Sequence, residues 1–345
     1  MKALQLGHLG EPASLREVEP PEPGPGEVLV KVGGAGACHS DLHLMYDFPP
    51  GTLPWDAFTL GHENAGWVEA LGPGVQHLEV GEPVAVYGAW GCGRCRRCAS
   101  GFENYCERGA ELGAAGPGLG FDGGMAPYLL VPQSRWLVPI GDLSPVQAAP
   151  LTDAGLTPYH AVARSRHLLQ PGSTSVVIGA GGLGLMAVQI LRALAGATQI
   201  IVVDQRDEAL AAAQRAGADH VVRAGEDAAE QIRDLTEGRG ADLTLDVVGA
   251  DETLALAAAV TRSLGHLTIV GIAGGTLPVS FLGLPYEVSI ATTYWGSLPE
   301  LDEVIALARS GQLSAEVTTY GLDRAMEAYG ALKAGEVVGR AVVVP

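Results

Sequence analysis

The sequence is short of positive charge, of cysteine and of long apolar runs. Its 345 residues include 21 Lys and Arg against 39 Asp and Glu, which gives a formal net charge of −18. So acidic a chain is poorly suited to bind nucleic acid or an anionic membrane surface, and neither is predicted as a partner. Hydrophobic residues make up 47% and charged residues 17%, proportions that are typical of folded globular proteins and exclude a disordered chain.

Membrane spans and export signals are also lacking. The most apolar run, VVIGAGGLGLMAVQIL, is short and carries four glycines, which makes it a poor membrane span. The N-terminus, MKALQLGHLGEP, has no basic segment followed by an apolar one, so no signal peptide is predicted. The five cysteines are therefore expected to be reduced thiols in the cytoplasm, available to a metal or to catalysis.

The chain changes character near residue 150, and its length is enough for two domains. Before that point Gly and Pro are frequent and short β-type runs recur (VLVKV, WVEAL, PVAVY, PYLLV), which predicts a loop-rich, mostly antiparallel β domain. After it, strand-like runs alternate with helical segments, among them DETLALAAAVTRSLG, which predicts a doubly wound parallel sheet. The tail after residue 294 is predicted to return to the first domain.

A glycine-rich turn opens the parallel-sheet region. The segment 179–184 fits G-x-G-x-x-G directly after the apolar run STSVVI, and Asp204 ends the next strand 20 residues later. Such a turn lets a pyrophosphate approach the backbone at the positive end of a helix. The carboxylate of Asp204 would bond the adenosine ribose hydroxyls and repel a 2′-phosphate, which favours NAD over NADP, whereas Arg206 would soften that preference. A plain turn and a solvated strand end are the alternatives. The residues predicted to bind NAD here are Gly179, Gly181, Gly182, Leu183, Gly184, Asp204 and Arg206.

Four of the five cysteines lie within the stretch GCGRCRRCASGFENYC. Their spacing is Cys92-x2-Cys95-x2-Cys98-x7-Cys106. Four thiolates at ~2.3 Å from one ion complete a tetrahedral shell, which is typical of a structural zinc and leaves no position for a substrate. A disulfide or free thiols are the alternatives, and a cytoplasmic setting disfavours the first.

The remaining cysteine is Cys38, in GACHSDLH, and His62 lies in GHENAG. Taken singly, each has an ordinary explanation as a buried residue. Together with the glycine turn and the four-cysteine cluster they make the whole chain resemble the zinc-dependent medium-chain alcohol dehydrogenases, of the bacterial NAD-dependent secondary alcohol dehydrogenase type. The resemblance implies a GroES-like β-rich catalytic domain at 1–151 and 294–345, and a Rossmann NAD-binding domain at 152–293.

The resemblance also implies a second, catalytic zinc, and so two Zn²⁺ ions per chain. Its ligands fall on Cys38, His62 and Asp153, the last in PLTDAGLTPYH, where some relatives carry a cysteine. Three ligands leave the fourth position open for a substrate. Glu63 resembles the acid that lies beside the metal and ligates it transiently. For Asp153, a helix cap or a turn carboxylate is the alternative.

Further roles follow from the resemblance alone. Ser40 and His43 match the proton relay of the family, although a serine here would also cap a helix and the histidine would also be an ordinary surface residue. His39 takes the place of a pyrophosphate-binding arginine, and Arg340 resembles a second one. The remaining cofactor positions are Val248, Gly271 and Ile272. The substrate pocket would draw on Trp55, Leu119, Leu282, Tyr294 and Trp295.

Those pocket residues are large and apolar, although each is also an ordinary core residue. They favour a hydrophobic or aryl-bearing secondary alcohol as the small-molecule substrate, oxidised reversibly to a ketone or aldehyde with NAD. The apolar run SIATTYW and the resemblance predict a homodimer or homotetramer. An NADP-linked aldehyde or cinnamyl-type reductase is one alternative, against which Asp204 argues. A non-enzymatic zinc- and NAD-binding module is the other, against which the open zinc position argues.

Overall fold

The structure is a computed structural model of the chain. The residues that it describes are 1–49, 51–53, 55 and 57–345. They form two compact units: the first comprises Met1–Leu156 together with Trp295–Pro345, and the second comprises Thr157–Tyr294. Among the described residues, no helix has both the length and the apolar character needed to cross a membrane.

The elements before residue 156 are short, as the many glycines and prolines predict. The strands are β1 (Lys2–Leu6), β2 (Ser14–Glu17), β3 (Val28–Ala37), β4 (Phe58–Thr59), β5 (Glu63–Leu71), β6 (Pro83–Val86), β7 (Gly116–Pro117), β8 (Gly120–Phe121), β9 (Tyr128–Val131) and β10 (Leu137–Pro139). The α-helices are α1 (His39–Tyr46), α2 (Arg96–Ala99), α3 (Gly109–Leu112) and α4 (Pro145–Ala148). Short 3-10 helices span Glu103–Tyr105, Ser134–Trp136 and Ala149–Thr152.

The next elements alternate between helix and strand. The helices are α5 (Leu156–Arg164), α6 (Gly182–Leu194), α7 (Asp207–Ala216), α8 (Ala228–Leu235) and α9 (Asp251–Val260), with a 3-10 helix at Arg166–Leu168. The strands are β11 (Thr174–Ile178), β12 (Gln199–Asp204), β13 (His220–Arg223), β14 (Ala241–Asp246), β15 (Thr261–Ile269) and β16 (Ser289–Thr292). The tail contains α10 (Leu298–Arg309), β17 (Val317–Gly321), a 3-10 helix at Leu322–Arg324, α11 (Ala325–Lys333) and β18 (Arg340–Val344).

The first unit is built around a seven-stranded sheet. Its order is β10-β6-β5-β3-β18-β17, with β9 also paired to β3. The pairs are antiparallel except β17 with β18. The tail therefore does return to the first domain, because β18 lies directly beside β3. Smaller sheets, β2-β1-β4 and β7-β8, complete the described strands of this unit.

The second unit is a six-stranded parallel sheet in the order β13-β12-β11-β14-β15-β16. Read by position along the chain this is 3-2-1-4-5-6, the order of the doubly wound dinucleotide-binding sheet. The central strands β11 and β14 are buried at every residue, so the sheet is covered on both faces at its centre. The most apolar run of the sequence spans the end of β11, the glycine turn and the first part of α6, which is buried at seven of its 13 positions. The predicted fold class is confirmed.

One boundary differs from the prediction. The segment TRSLG was predicted to continue helix α9, but α9 ends at Val260 and β15 begins at Thr261. The hydroxyl of Thr261 donates to the Ala257 carbonyl, 2.7 Å away, and lies 2.7 Å from the hydroxyl of Thr244 on β14, from which it can accept. Thr261 pairs with Ala241 of β14 and the Arg262 side chain bonds Asp242, so contacts with β14 override the local helical pattern at the start of this segment.

Candidate active site and metal centres

Cys38, His62 and Asp153 come together in the first unit. Strands β3 and β5 pair antiparallel with Gly36 opposite Glu63, so the residues that follow β3 and precede β5 are neighbours. The Oδ2 atom of Asp153 lies 4.0 Å from Cys38 Sγ and 3.5 Å from His62 Nε2. The sheet therefore places a thiol, an imidazole and a carboxylate around one point, although Asp153 is more than 90 residues away in sequence.

Asp41, which sequence reasoning missed, orients two of these groups. Its Oδ1 atom lies 3.0 Å from His62 Nδ1, and its Oδ2 atom accepts a hydrogen bond of 3.1 Å from the Cys38 backbone N–H. Asp41 is fully buried. A carboxylate at Nδ1 favours the tautomer in which Nε2 carries the free lone pair, as a metal-binding histidine requires. The available signal was the spacing C-x2-D, in which a residue of the first helical turn bonds back to the N-cap backbone.

Glu63 and Arg340 form a buried ion pair beside this cluster. The Nη2 atom of Arg340 pairs with Glu63 Oε1, and both side chains are at most 4% exposed. Glu63 Oε2 has no partner among the described residues. A Cβ at Gly36 would overlap that oxygen, so only glycine leaves room for the carboxylate. The sequence predicted a pyrophosphate contact for Arg340, which stays a prediction; the structure gives it Glu63 as a partner.

The cluster has the composition of a zinc site. One ligand atom from each of Cys38, His62, Glu63 and Asp153 lies within 4.8 Å of the others. Sulfur, imidazole nitrogen and carboxylate oxygen are the donors that zinc takes in proteins. Burial raises the pKa of Glu63 to about 7, although Arg340 opposes the shift. An orphaned carboxylate oxygen and a strongly acidic surrounding both favour a bound cation here.

The four cysteines 92–106 form the second cluster. Their sulfur atoms lie within 4.8 Å of one another, and backbone N–H groups point at them: Cys95 N lies 3.3 Å from Cys92 Sγ, and Cys92 N lies 3.4 Å from Cys106 Sγ. The backbone hydrogen bond from Cys98 lowers the pKa of Cys95 to about 6. All five cysteines of the chain are described and none forms a disulfide. The donor set therefore fits a closed tetrahedral zinc site.

A buried glutamate, Glu103, ties the four-cysteine segment to neighbouring residues by hydrogen bonds and an ion pair. Glu103 is 3% exposed, and its Oε2 accepts hydrogen bonds from Gly91 N at 3.1 Å and Trp136 Nε1 at 2.8 Å. Its Oε1 pairs with Arg135, whose guanidinium lies over the Trp136 ring. The loop that holds the cysteines is thus fixed to the β10 region by a satisfied charge pair.

The glycine turn lies between β11 and α6 in the second unit. Gly179 has φ +100°, a left-handed conformation that favours glycine. A Cβ at Gly184 would overlap the Gly179 carbonyl oxygen, so this glycine permits close helix–strand packing. A Cβ at Gly181 would meet no atom within 4 Å, so the N-terminus of α6 is open there. The turn therefore fits a pyrophosphate at the N–H groups of Gly182 and Leu183.

Comparison with known proteins identifies the family. The model of the alcohol dehydrogenase GroES-like domain matches residues 24–142, and that of the zinc-binding dehydrogenase matches residues 182–310. An NAD-dependent alcohol dehydrogenase of Sulfurisphaera tokodaii is 39% identical over 358 residues, with 100% of both chains covered. The chain belongs to the zinc-dependent medium-chain alcohol dehydrogenases. The resemblance predicted from the sequence is confirmed.

Other relatives of this dehydrogenase differ in what they act on. A D-arabinose 1-dehydrogenase (NADP(+)) of Saccharolobus solfataricus is 34% identical, with 100% of this chain and 97% of the relative covered. Among solved structures, an alcohol dehydrogenase from Aeropyrum pernix has 36% identity and a TM-score of 0.91 over 100% of both chains. The acetophenone reductase of Geotrichum candidum, in complex with NAD, has 31% identity and a TM-score of 0.85, covering 99% and 98%.

The predicted relay residues of this dehydrogenase lie on α1. Cys38 is the N-cap of α1, so Ser40 lies inside the helix and does not cap it. The Ser40 hydroxyl is 3.6 Å from Cys38 Sγ. His43, one turn later, has a side chain 25% exposed and pairs with Asp47. His39, at the first helical position, is exposed.

The remaining cofactor positions follow β14 and β15. Val248 N donates to Asp246 Oδ1 at 2.9 Å. A Cβ at Gly271 would overlap the Val248 backbone, so the two loops touch only because a glycine is present. Ile272 is 58% exposed. In a doubly wound sheet the carboxyl ends of the strands are where ligands bind, so these loops lie at the expected edge.

The predicted pocket residues differ in exposure. Trp295 is 4% exposed, and its ring stands edge-on to the His62 ring with 6.0 Å between centroids. It has φ +50°, which is uncommon for a bulky residue, and Gly88 gives its ring room. Trp55 packs edge-on against Phe58 and is half-buried, as is Leu119. Leu282 is 85% and Tyr294 43% exposed. Trp295 is therefore placed directly against a predicted metal ligand.

Proposed function

We propose that this protein is an NAD-dependent alcohol dehydrogenase that interconverts hydrophobic, mainly secondary, alcohols and their ketones or aldehydes. The observation that carries the proposal is the difference between the two clusters. Four cysteines offer a zinc ion all the ligands it needs. In the other cluster Cys38, His62 and Asp153 offer three ligands, and the fourth group, Glu63, is paired with Arg340. A three-ligand set is the arrangement of catalytic zinc sites, because it leaves one position for a substrate.

The residues of the chain have separate tasks in this reaction. Bound zinc supplies a Lewis acid that lowers the pKa of an alcohol, and bound NAD supplies the oxidising nicotinamide. Asp41 holds His62 with Nε2 turned toward Asp153 and Cys38. The Ser40 hydroxyl lies beside Cys38 Sγ, and its proposed role is to accept the alcohol proton while passing its own proton on. The proposed role of His43, partly exposed on the same helix, is to release a proton to solvent.

NAD is proposed as the cofactor because of the residues around the glycine turn. Asp204 is 9% exposed, and Arg206 is its neighbour at 3.3 Å. A carboxylate at the end of the second strand accepts hydrogen bonds from the ribose hydroxyls of NAD. A 2′-phosphate would meet the same negative charge. The relative in Sulfurisphaera tokodaii is named as NAD-dependent, which supports this choice.

Hydrophobic and aryl-bearing secondary alcohols are proposed as substrates because of Trp295. Its buried ring beside His62 gives the substrate an apolar wall and no hydrogen-bond acceptors for a sugar. The likeness to an acetophenone reductase supports an aryl ketone as the product. The NADP-dependent D-arabinose dehydrogenase is the relative that favours the rival, a polyhydroxy substrate.

We further propose a homodimer or homotetramer. Strand β16 is an edge of the six-stranded sheet, so its outer backbone groups are available for pairing with a second copy. Near it in sequence, Phe281 is 81% and Leu282 85% exposed. Large exposed apolar side chains in one segment are typical of a surface that a partner covers.

Two more assignments rest on the same observations. The five free thiols, four of them grouped as metal ligands, support a cytoplasmic location. We assign the catalytic zinc domain to 1–151 and 294–345, and the NAD-binding domain to 152–293. The family match at 24–142 lies inside the first of these domains, and the match at 182–310 covers most of the second and continues into the tail.

The decisive experiment measures cofactor reduction and metal content on one sample. Purified protein is assayed with 1-phenylethanol, propan-2-ol, cinnamyl alcohol and D-arabinose, each with NAD and with NADP. We expect two zinc ions per chain and the highest kcat/KM with 1-phenylethanol and NAD. One zinc ion and no alcohol-dependent reduction would instead support a non-enzymatic binding module. Better turnover of D-arabinose or cinnamyl alcohol with NADP would support the rival enzymes.

A further inference from the structure

A residue from the C-terminal tail reaches the carboxylate behind the metal ligands. Tyr329 lies on α11 and is 1% exposed. Its hydroxyl donates a hydrogen bond of 2.8 Å to Asp41 Oδ2, across a sequence separation of 288 residues. It also lies 3.2 Å from the sulfur of Met125. Burial and the charge of Asp41 raise the pKa of the phenol, so the hydroxyl keeps its proton and acts as a donor.

Asp41 has a defined task for each oxygen. Oδ1 is next to His62 Nδ1, at 3.0 Å. Oδ2 receives the Cys38 backbone N–H at 3.1 Å and the Tyr329 hydroxyl at 2.8 Å. A carboxylate has about four lone-pair positions, and these three donors fix its rotation about the last side-chain bond. The orientations of His62 and of the Cys38 backbone therefore depend on one side chain, and Tyr329 is its third contact.

We propose that Tyr329 is a positioning residue for the Cys38–His62–Asp153 cluster. Its hydroxyl fixes the Asp41 carboxylate, and Asp41 in turn holds His62 Nε2 and Cys38 Sγ in the arrangement that binds zinc. This role rests on the proposed function, because it requires that the cluster be a zinc site. Tyr329 would affect how firmly the metal is held and how its ligands are arranged, whichever alcohol is oxidised.

The position of the contact explains why a phenol is needed. A phenylalanine would fill the same volume and leave the packing of α11 unchanged, but Asp41 Oδ2 would lose a donor in a site that water does not reach. The negative charge of a buried carboxylate is destabilised when it loses a hydrogen-bond donor, and the carboxylate then rotates toward its remaining donors. That rotation moves Oδ1 away from His62, which loosens the imidazole without removing any ligand.

The test uses Tyr329→Phe in the full chain loaded with zinc. Zinc release to a strong chelator is followed in time, and the four-cysteine site serves as an internal reference within the same molecule. Partners that orient a metal-ligating histidine are worth roughly 10–100-fold in metal affinity. Since Tyr329 acts through one of them, we expect release from the catalytic cluster to be about 10-fold faster and release from the four-cysteine site to be unchanged.

Tyr87→Phe is the matched control. Tyr87 is also fully buried in the first unit, and its hydroxyl donates to a backbone carbonyl, that of Gly296, at 2.7 Å. Its hydroxyl hydrogen bond goes to Gly296 and not to Asp41, so its loss should cost similar stability with no change in zinc release. Replacing the catalytic zinc with cobalt gives a second readout, because a loosened imidazole shifts the visible absorption bands in Tyr329→Phe and not in Tyr87→Phe.

The outcomes separate the inference from the proposed function. Equal release rates in Tyr329→Phe and Tyr87→Phe, or acceleration at both zinc sites, would overturn the positioning role while leaving the dehydrogenase proposal intact. A wild-type protein that binds only the four-cysteine zinc would overturn both. A wild type with two zinc ions but no alcohol oxidation, together with a selective effect of Tyr329→Phe, would support the positioning role and refute the proposed reaction.

Discussion

The carboxylate of Asp204 lies 2.7 Å from the backbone nitrogen of Ala180, so the residue that ends β12 also fastens the glycine turn after β11. The same side chain accepts a hydrogen bond of 2.9 Å from the Arg206 backbone. Asp204 thus has a structural task in addition to the proposed contact with the ribose of NAD.

Replacing Asp204 should change cofactor preference. At contact distance and an effective dielectric of ~20, charge repulsion amounts to several kcal/mol, and each ~1.4 kcal/mol is tenfold in kcat/KM. We expect the wild type to favour NAD over NADP by at least ~100-fold, and Asp204→Ser to reduce that ratio by at least ~10-fold, with a higher KM for NAD because the turn loosens. Steady-state kinetics with both cofactors measure this.

Asp207→Ser is the control for that variant. Asp207 lies three residues away, and its exposed carboxylate pairs with Arg223. Its removal should leave the cofactor ratio within about twofold, since exposed ion pairs contribute little. A wild type that uses the two cofactors equally well would contradict the role given to Asp204.

The two proposed zinc sites should respond differently to the replacement of a cysteine by serine. Cys95→Ser opens a closed zinc site that contributes directly to folding energy, so the midpoint of guanidinium unfolding should fall and soluble yield should drop. Cys38→Ser removes a ligand of the proposed catalytic zinc, so turnover should fall below detection while the unfolding midpoint stays near that of the wild type. Each variant should retain one zinc ion. Loss of activity without loss of stability in both would show that the division is wrong.

Glu103 should stabilise the four-cysteine segment. Glu103→Gln keeps the shape of the side chain but removes the charge that faces Arg135. It also removes one of the two oxygens that can accept hydrogen bonds, which Gly91 N and Trp136 Nε1 now share with Arg135. Breaking a buried pair costs up to 3–5 kcal/mol, and the partial exposure of Arg135 reduces this to about 2 kcal/mol. Equilibrium unfolding measures the loss. Glu107→Gln, an exposed change in the same segment, should have no effect beyond ~0.5 kcal/mol.

Trp295 should limit substrate size. Its ring stands beside His62 and is almost completely buried, so Trp295→Ala would open space next to the proposed zinc site. We expect kcat/KM for a diaryl ketone to rise by at least ~10-fold relative to that for acetone, with a loss of ~3–5 kcal/mol in stability. Trp295→Phe, which retains most of the ring, should change the ratio far less. An unaltered ratio in Trp295→Ala would remove this residue from the pocket.

The exposed segment before β16 should control assembly. The wild type should sediment as a multiple of 35.6 kDa, and the double variant Phe281→Ser, Leu282→Ser should shift toward the monomer. Val80→Ser changes an apolar side chain that is 66% exposed in the first unit, and should leave the assembly unchanged. A 35.6 kDa wild-type particle at working concentration would contradict the proposed oligomer.

The features that the sequence predicted correctly, such as the four-cysteine cluster and the glycine turn, depend on residues that lie close together in the chain. The four cysteines lie close together because a segment of 15 residues leaves them few other arrangements. The glycine turn is recognisable because strand, turn and helix follow one another directly. The alternation of strand and helix predicted the parallel sheet for the same reason. The helix predicted for the segment TRSLG was wrong, because this segment contacts residues of β14 that the local pattern does not reveal.

Several contacts between side chains far apart in the sequence were not predicted. Asp41 looks like an ordinary residue of an exposed helix until His62, 21 positions away, is placed against it. The pyrophosphate contact of Arg340 stays a prediction, and the sequence did not indicate that its guanidinium pairs with Glu63 across 277 positions. Nothing in the sequence around Tyr329 indicates a partner 288 positions away. These contacts arise from sheet pairing and from the packing of α11 against α1, neither of which a single sequence specifies.

Strand β18 is synthesised last, long after the proposed metal ligands. Asp153, the last proposed ligand, is made before the chain is half complete, whereas Tyr329, Arg340 and the strand that closes the sheet beside β3 come within the last 17 residues. At roughly 5–20 residues per second, about 10–40 s separate Asp153 from Arg340 on the ribosome. During that time the nascent chain carries every ligand but none of the tail contacts that orient them. A stop codon close to the end of the gene would therefore yield a protein with intact motifs and a poorly held metal.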